Sequence, residues 1–155
     1  MRGRRPYMAT RRNGRQDAIK WIVRNKAIRT QRDLVTELRR EGFSCTQATV
    51  SRDIADMGLR KLPEGIYVLA EDLHLQRMFA EFVTTVACAN NLVVIRTQVG
   101  TAPGVAAAVD AAELVDVMGS IAGNDTVLVI CDTNDNAQQT CELLNKLRAV
   151  TEGQH

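Results

Sequence analysis

The hydrophobic pattern of the first half of the chain changes its period at Gly58, from helical to strand-like. Before Gly58, three short segments repeat apolar residues at helical spacing, and Thr30 and Thr46 supply N-caps for the second and third segments. The apolar positions of these predicted helices are Ile19, Ile22 and Val23, then Leu34, Val35 and Leu38, then Val50, Ile54 and Met57. After Gly58, residues 59–62 and 66–69 form two predicted strands joined by a tight turn. Three helices and a hairpin predict a winged helix-turn-helix at residues 15–69, although periodicity alone indicates only a small α+β domain.

The remaining half of the chain predicts a second small domain of mixed helices and strands. Residues 70–74 form a predicted polar linker, and residues 75–150 form the domain itself. Its predicted elements are, in chain order, a helix at 75–86, a strand at 92–97, a helix at 103–114, strands at 117–122 and 127–131, and a helix at 136–148. The chain is therefore predicted to be α+β, with a winged helix-turn-helix domain followed by a small α/β sandwich.

Charge is distributed unequally between the two halves of the chain. Residues 1–72 carry 16 Lys and Arg against 9 Asp and Glu, a net charge of +7, whereas residues 73–155 carry 4 against 9, a net charge of −5. Such asymmetry is typical of a nucleic-acid-binding part joined to another function, although basic residues can also merely solvate helix faces. Residues 1–14 carry five arginines without apolar periodicity, which predicts a flexible basic arm.

Composition and spacing exclude several other classes of protein. Hydrophobic residues make up 45% and charged residues 25% of the chain, the balance of an ordinary folded domain. Four cysteines without C-x-x-C spacing and two histidines give no metal site, and we expect no prosthetic group. No Ser/His/Asp constellation and no G-x-G-x-x-G loop is present, so we expect no enzyme. The apolar runs are too short to cross a membrane and we find no secretory signal, which predicts a cytoplasmic protein with reduced cysteines.

The predicted third helix carries the most specific local pattern, Thr46-Gln-Ala-Thr-Val-Ser-Arg-Asp53. Its apolar residues can pack on the first two helices, while four polar residues project outward: Gln47, Thr49, Ser51 and Arg52. Amide, hydroxyl and guanidinium groups match the base edges and phosphates of double-stranded DNA. An ordinary polar helix surface has a similar composition, but the basic flanks and the hairpin favour DNA binding. We expect base contacts from this helix and phosphate contacts from Lys61, Arg11 and Arg12.

Two groups of residues resemble a known family of regulators. Ala48-Thr-Val-Ser-Arg-Asp-Ile54, followed by Gly58-Leu-Arg-Lys61 and Gly65-Ile-Tyr67, resembles the DNA-binding domain of bacterial arginine repressors. Val93-Val-Ile-Arg-Thr97 and Gly119-Ser-Ile-Ala-Gly-Asn-Asp-Thr126 look like the effector-binding domain of that family, and the resemblance covers residues 15–148. It implies a cytoplasmic repressor of arginine metabolism genes that binds paired palindromic, A·T-rich operators. It also implies a hexamer, assembled as a dimer of trimers through the C-terminal domains, with L-arginine bound between the trimers.

The same resemblance implies which residues contact DNA and effector. The Ser-Arg pair of the family's recognition helix corresponds to Ser51 and Arg52, with Gln47 and Thr49 beside them. The family's Pro-Gly before the Ala-rich helix aligns with Val99-Gly100 rather than Pro103-Gly104, because only the first choice keeps the spacing to the effector turn. The effector-binding residues are then expected to be Asp110, Ser120, Ala122, Gly123, Asn124 and Asp125. Without the resemblance, ordinary solvated positions explain Asp110 and Asp125 better than effector binding does.

The chain departs from the family pattern at two effector positions. Asn124 stands where the family has the first Asp of the turn, and Pro103 where it has a polar residue near the helix start. Losing one charge-assisted hydrogen bond to arginine costs roughly 1.5–3 kcal/mol, so we expect weakened rather than abolished binding. The alternative is a regulator of the same fold that is arginine-independent, or that takes another effector such as one with a neutral ureido end. Such a protein would act constitutively or as a partner in mixed oligomers.

Overall fold

The computed structural model describes residues 11–152, with side chains described for residues 14–148. The chain divides into two compact units between Ala70 and Glu71. Each unit combines helices with an antiparallel sheet, of two strands in the first unit and four in the second. The predicted α+β class is therefore confirmed.

The N-terminal unit is a bundle of three helices with a two-stranded hairpin. Its elements are α1 (Arg11–Asn25), α2 (Gln31–Arg40), α3 (Gln47–Asp56), β1 (Leu59–Lys61) and β2 (Tyr67–Leu69). Thr30 caps α2 in a reciprocal capping box with Asp33, as a Thr three residues before a carboxylate predicts. Ile22, Leu38 and Val50 are completely buried, one from each helix. Because each helix is too short to be stable alone, this shared core holds the unit together.

Two predicted boundaries at the ends of this unit are wrong. Helix α1 begins at Arg11, so residues 11–14 belong to a helix and not to the predicted basic arm, while residues 1–10 lie outside the described part of the chain. No proline interrupts this segment, and Gly14 costs a helix only about 1 kcal/mol relative to alanine. The predicted linker at 70–74 is the first part of a further helix that begins at Ala70. Glu71 and Asp72 lie in its first turn, where carboxylates stabilise the positive end of the helix dipole.

The C-terminal unit is a four-stranded antiparallel sheet with helices packed on one face. Its elements are α4 (Ala70–Phe82), β3 (Val83–Ala89), β4 (Leu92–Thr97), α5 (Ala102–Ala111), β5 (Val117–Ala122), β6 (Thr126–Cys131) and α6 (Asn134–Glu152). The strand order is β3-β4-β6-β5, which places β3 and β5 at the two edges. Ile95 of β4 and Val127 of β6 are paired and fully buried, and they pack with α5 and α6 in the core.

Strand β3 is absent from the elements predicted from the sequence. The helix that was predicted to continue to residue 86 ends at Phe82, and residues 83–89 pair with β4 instead. Val83 and Val86 fit helical spacing, which extended the predicted helix past its end. They belong, however, to the run Val-Thr-Thr-Val, whose branched side chains favour a strand. The element order of this unit is therefore αββαββα rather than the predicted αβαββα.

The face of this sheet opposite α5 and α6 is apolar across its strands. Ile121 of β5 lies opposite Leu128 of β6, which in turn lies opposite Val94 of β4. Ile121 remains 64% exposed, and Met118 of the same edge strand is 74% exposed. Contiguous exposed apolar surface of this kind is typical of a protein–protein interface. We refer to Val94, Ile121 and Leu128 as the open sheet face.

Asp116 occupies an unfavourable position for an ionised carboxylate just before β5. Its φ of 70° lies in the left-handed region, and burial, followed by the nearby charge of Asp132, raises the pKa of its carboxyl above 3.8. Because the folded state binds the proton more tightly than the unfolded state, this group lowers stability as pH rises above 3.8.

We expect Asp116→Asn to raise the free energy of unfolding at pH 7 by a few tenths of a kcal/mol, since the group is partly screened by solvent. Asparagine also tolerates the left-handed backbone. Thermal unfolding at pH 7 and at pH 3 checks this result, with the exposed Glu142→Gln of α6 as the control. A gain of equal size at both pH values would contradict the assignment to the charge of Asp116.

Candidate functional sites

Helix α3 presents polar side chains to solvent, and its opposite, apolar face is buried. Thr46 caps the helix, and its hydroxyl accepts the Thr49 N–H at 3.2 Å. Val50 and Ile54 anchor the opposite face in the core, while Gln47, Ser51 and Arg52 are exposed. Thr49 is half-buried, and its hydroxyl lies 3.0 Å from that of Thr46, so part of its hydrogen-bonding capacity serves the cap. Three of the four predicted DNA-contacting residues of this helix are therefore fully presented to solvent.

A buried ion pair that was not predicted from the sequence fixes α3 against α1. Asp53 is 2% exposed, and its carboxylate accepts both Nε and Nη2 of Arg15, the latter at 3.1 Å. This hydrogen-bonded pair raises the pKa of the Arg15 guanidinium above its ordinary value. Asp53 follows Val50 by three residues, which places it near the buried face of α3. That spacing hinted at burial, but nothing in the sequence identifies a partner 38 residues away.

The hairpin places two cations on its outer strand. Arg60 and Lys61 of β1 are both exposed, and the Nζ atom of Lys61 lies 5.4 Å from the centre of the Tyr67 ring on the paired strand. A cation held over an aromatic face is restricted in its range of positions. Lys61 was predicted as a phosphate contact, whereas Arg60 was not singled out. Both residues add positive charge to the exposed surface of this unit.

An open depression of about 610 Å³ lies where α2 meets α3. Its lining includes Arg39, Cys45 and Thr46. Arg39 Nη2 donates to the carbonyl of Cys45 at 3.3 Å, which ties α2 to the residue before the α3 cap. Burial raises the pKa of the Cys45 thiol, so it remains protonated at neutral pH. We assign it a packing role in the turn between the two helices.

The predicted effector residues fall into two groups in the C-terminal unit. In the first, Ser120 Oγ donates to Asp110 Oδ1 at 2.7 Å, which joins β5 to the end of α5. The second is the turn at residues 123–125, which connects β5 and β6. The carbonyl of Asn124 in this turn accepts the backbone N–H groups of Gly100 at 3.0 Å and Ala102 at 3.3 Å. The backbone of the turn is therefore held by the segment that precedes α5.

The carboxylate of Asp125 contacts one neutral and one charged side chain. Its Oδ1 accepts the Thr126 hydroxyl at 3.1 Å, and its Oδ2 lies 3.5 Å from Nη2 of Arg96. The Arg96–Asp125 pair is about half exposed on both sides, so it contributes little to stability. Arg96 lies within the segment that resembles the family, yet its pairing with Asp125 was not predicted. An acidic group that already contacts one guanidinium can also accept one from a ligand.

The remaining predicted positions lie beside these groups. Gly123 donates its N–H to the Thr126 carbonyl at 2.8 Å, while Ala122 is half-buried at the end of β5. Pro103 lies in the first turn of α5, where its missing N–H costs nothing. Gly100, which is predicted to align with the family's Pro-Gly, has a φ of +83° and donates its N–H to the Asn124 carbonyl of the turn.

The described part of the chain contains neither a metal site nor a membrane-spanning helix. Among its residues, no group of His, Cys, Asp and Glu is arranged to hold a metal ion. Of the helices described, none is both long and apolar enough to cross a membrane.

Comparison with known proteins assigns both units to one family. Residues 10–75 match the family described as "Arginine repressor, DNA binding domain", and residues 79–146 match "Arginine repressor, C-terminal domain". The chain belongs to the arginine repressor family. The arginine repressor of Thermus thermophilus is 44% identical over 135 residues, which cover 80% of this chain and 82% of that protein. The arginine repressor of Moorella thermoacetica is 39% identical over 150 residues, which cover 90% and 97% of the two chains.

This membership confirms the function class predicted from the sequence. The chain is a DNA-binding transcriptional repressor and not an enzyme, and arginine is the effector associated with its family in general. The alternative of an arginine-independent regulator is not favoured by these matches.

Proposed function

We propose that this arginine repressor family member binds palindromic operator DNA as a hexamer and responds to L-arginine, in the cytoplasm, to control arginine metabolism genes. The geometry of α3 is the observation that supports the proposed binding of DNA. Gln47, Ser51 and Arg52 are exposed on one helix whose opposite face is buried and whose orientation is fixed by Asp53. Such a helix fits the major groove, where amide and guanidinium groups distinguish base pairs.

Contacts to the DNA backbone supply the sequence-independent part of the proposed affinity. Lys61 is exposed on the hairpin and is suited to a phosphate, and Arg60 beside it adds a second cation. Arg11 and Arg12 lie at the start of α1, and their side chains fall outside the described residues. Each phosphate neutralised by such a cation steepens the dependence of binding on salt concentration. We therefore propose that these residues determine how operator affinity depends on salt concentration, whereas α3 determines discrimination between operator and other DNA.

L-arginine is the proposed effector, and the acidic groups of the C-terminal unit support this assignment. Asp110 and Asp125 offer carboxylates to the guanidinium and the α-ammonium of the amino acid. Asn124 offers an amide carbonyl, which accepts a hydrogen bond without contributing charge. Ser120 holds Asp110 at 2.7 Å and so restricts its orientation. We propose that Ala122 and Gly123 contribute backbone around the ligand.

The open sheet face supports the proposed assembly of the chain with copies of itself. Its apolar residues are exposed on an edge strand and continue across the two central strands. Burying them in a symmetric oligomer removes an apolar patch from water. We propose trimers, and hexamers as dimers of trimers, in which a neighbouring subunit completes the effector site. Sedimentation equilibrium with and without L-arginine measures the mass against the 17.1 kDa of one chain.

Fluorescence anisotropy tests the function as a whole. A labelled palindromic arginine-operator duplex is titrated with the full chain at fixed salt, with and without millimolar L-arginine, and an unrelated duplex serves as the control. We expect tight, specific binding that L-arginine strengthens. Specific binding that is indifferent to L-arginine would contradict the effector assignment and leave DNA recognition intact. Equal binding to both duplexes would contradict the operator assignment.

Asn124→Asp is expected to raise the affinity for L-arginine about ten- to a hundredfold, because it adds one charge-assisted hydrogen bond. The backbone of Asn124 is held through its carbonyl by Gly100 and Ala102, so the change leaves the turn in place. Isothermal titration calorimetry measures this affinity, and Asn136→Asp, outside the proposed site in α6, is the control. Unchanged affinity in Asn124→Asp would show that residue 124 does not contact the ligand.

A further inference from the structure

The wing, defined as β1, β2 and the turn at residues 62–66, is too small to hold its own orientation. Only three residue pairs join its strands, from Leu59–Leu69 to Lys61–Tyr67. A hairpin of this size is at best marginally stable alone in water. Leu59 and Leu69 fix its base in the core, where they are 9% and 1% exposed. The direction of the rest of the wing depends on what holds its tip.

Two hydrogen bonds join the wing, beyond its base, to the loop between α1 and α2. The Tyr67 N–H donates to the Ile28 carbonyl at 2.9 Å, so this loop runs beside β2. The next residue, Arg29, donates from Nη1 to the Glu64 carbonyl at 2.9 Å, at the tip of the turn. Ile28 is 3% exposed and anchored in the core, which gives the loop a fixed base from which Arg29 reaches out.

The turn has a backbone shape that accommodates this guanidinium. The Gly65 N–H donates to the Leu62 carbonyl at 2.8 Å, and the Leu62 N–H donates to the Ile66 carbonyl at 2.9 Å. Gly65 has a φ of +84°, and a Cβ atom placed on it would lie 3.7 Å from Nη1 of Arg29. The guanidinium therefore lies against the turn itself, and the Glu64 carbonyl, which points toward it, receives a donor with a full positive charge.

We propose that Arg29 is a positioning residue for DNA recognition, holding the wing so that Arg60 and Lys61 meet the DNA backbone. The inference rests on the proposed role of Lys61 as a phosphate contact. In this proposal Arg29 acts through the wing, since Nη1 of its guanidinium donates to the Glu64 carbonyl, and the double-mutant cycle below separates that role from a direct contact with DNA. Its bond is exposed to solvent and adds little to folding stability. Its effect is instead on the orientation of the wing. This orientation matters because a mobile cation loses conformational entropy when it binds a phosphate.

A double-mutant cycle on operator affinity distinguishes positioning from direct contact. Anisotropy titrations compare the full-length wild type, Arg29→Ala, Lys61→Ala and the double variant. Arg32→Ala, which removes an exposed arginine from the first turn of α2, replaces Arg29→Ala in a matched control cycle. We expect Lys61→Ala to weaken binding about three- to tenfold in the wild type and in Arg32→Ala, and less than about twofold in Arg29→Ala. Equal losses in all three backgrounds would overturn the proposal.

Hydrogen exchange in the absence of DNA tests the same inference without reference to Lys61. We expect the amides of Leu62 and Gly65 to exchange at least about fivefold faster in Arg29→Ala, because the turn opens more often once its tip is released. Arg32→Ala should leave both amides unchanged. If Lys61→Ala by itself does not affect operator binding, the phosphate contact of the proposed function fails, and exchange alone decides the role of Arg29. Unchanged exchange in Arg29→Ala would refute the positioning role.

Discussion

Arg52→Ala is expected to weaken operator binding by tenfold or more while leaving the binding of L-arginine unchanged. A bidentate contact from an arginine to a base pair contributes about 1–3 kcal/mol of discrimination, and its loss relaxes specificity at that position. Arg52 is exposed on α3, beside Asp53, which is locked to α1. Removing the Arg52 side chain therefore removes the proposed DNA contact without disturbing the helix that presents it.

The measurement pairs an operator titration with calorimetry of L-arginine on the same preparations. Arg77→Ala is the matched control, since it removes an exposed arginine from α4 and changes the net charge by the same amount. We expect Arg77→Ala to retain operator discrimination. A salt dependence that falls while discrimination is kept in Arg52→Ala would assign this residue to a phosphate instead of a base. Parallel loss of operator and L-arginine binding in a folded Arg52→Ala variant would contradict its assignment to DNA.

The sequence predicts helix α3 well because its signals are local. Thr46 caps α3 and Val50 anchors it, and both positions can be identified from residues within one or two turns. The same holds for α2, whose capping box is formed by Thr30 and Asp33. Exposure of Arg52 follows directly from the burial of the opposite face. Recognition of the family then adds the chemistry, which helical periodicity cannot supply.

The sequence does not predict contacts between residues that are distant in the chain. Arg15 and Asp53 pair across 38 residues, and Arg29 reaches Glu64 across 35. No local pattern specifies such partners, because a surface arginine has the same neighbours whether or not it is paired. The end of α4 was misplaced for a different reason, since Val83 and Val86 fit helical spacing although the β-branched run that contains them favours a strand. Only pairing with β4 decides between the two.

The geometry of the proposed effector site is the part least predictable from one sequence. The turn at residues 123–125 is found by its composition, but its support by Gly100 and Ala102 depends on the folded unit. The proximity of Arg96 to Asp125 also arises from the sheet, where Arg96 pairs with Thr126. In the proposed oligomer, a second subunit adds further groups, and a single chain contains no information on their geometry.

Arg15→Ala is expected to lower the free energy of unfolding of the N-terminal unit by about 3 kcal/mol, because it leaves a buried carboxylate without a cation. Asp53 is 2% exposed, so the lone charge has little access to water. Trp21, the one tryptophan of the sequence, lies in α1, so its fluorescence follows the unfolding of this unit.

The matched variant removes both charges. Arg15→Ala combined with Asp53→Ala leaves no unpaired buried ion, so we expect it to be more stable than Arg15→Ala alone at pH 7. Operator affinity in the double variant should not recover as stability does, because α3 still lacks its attachment to α1 although no buried charge is left unpaired. We expect that variant to fold and to bind operator DNA more weakly than wild type. A double variant no more stable than Arg15→Ala would show that the penalty comes from lost packing of the arginine stem rather than from the isolated carboxylate.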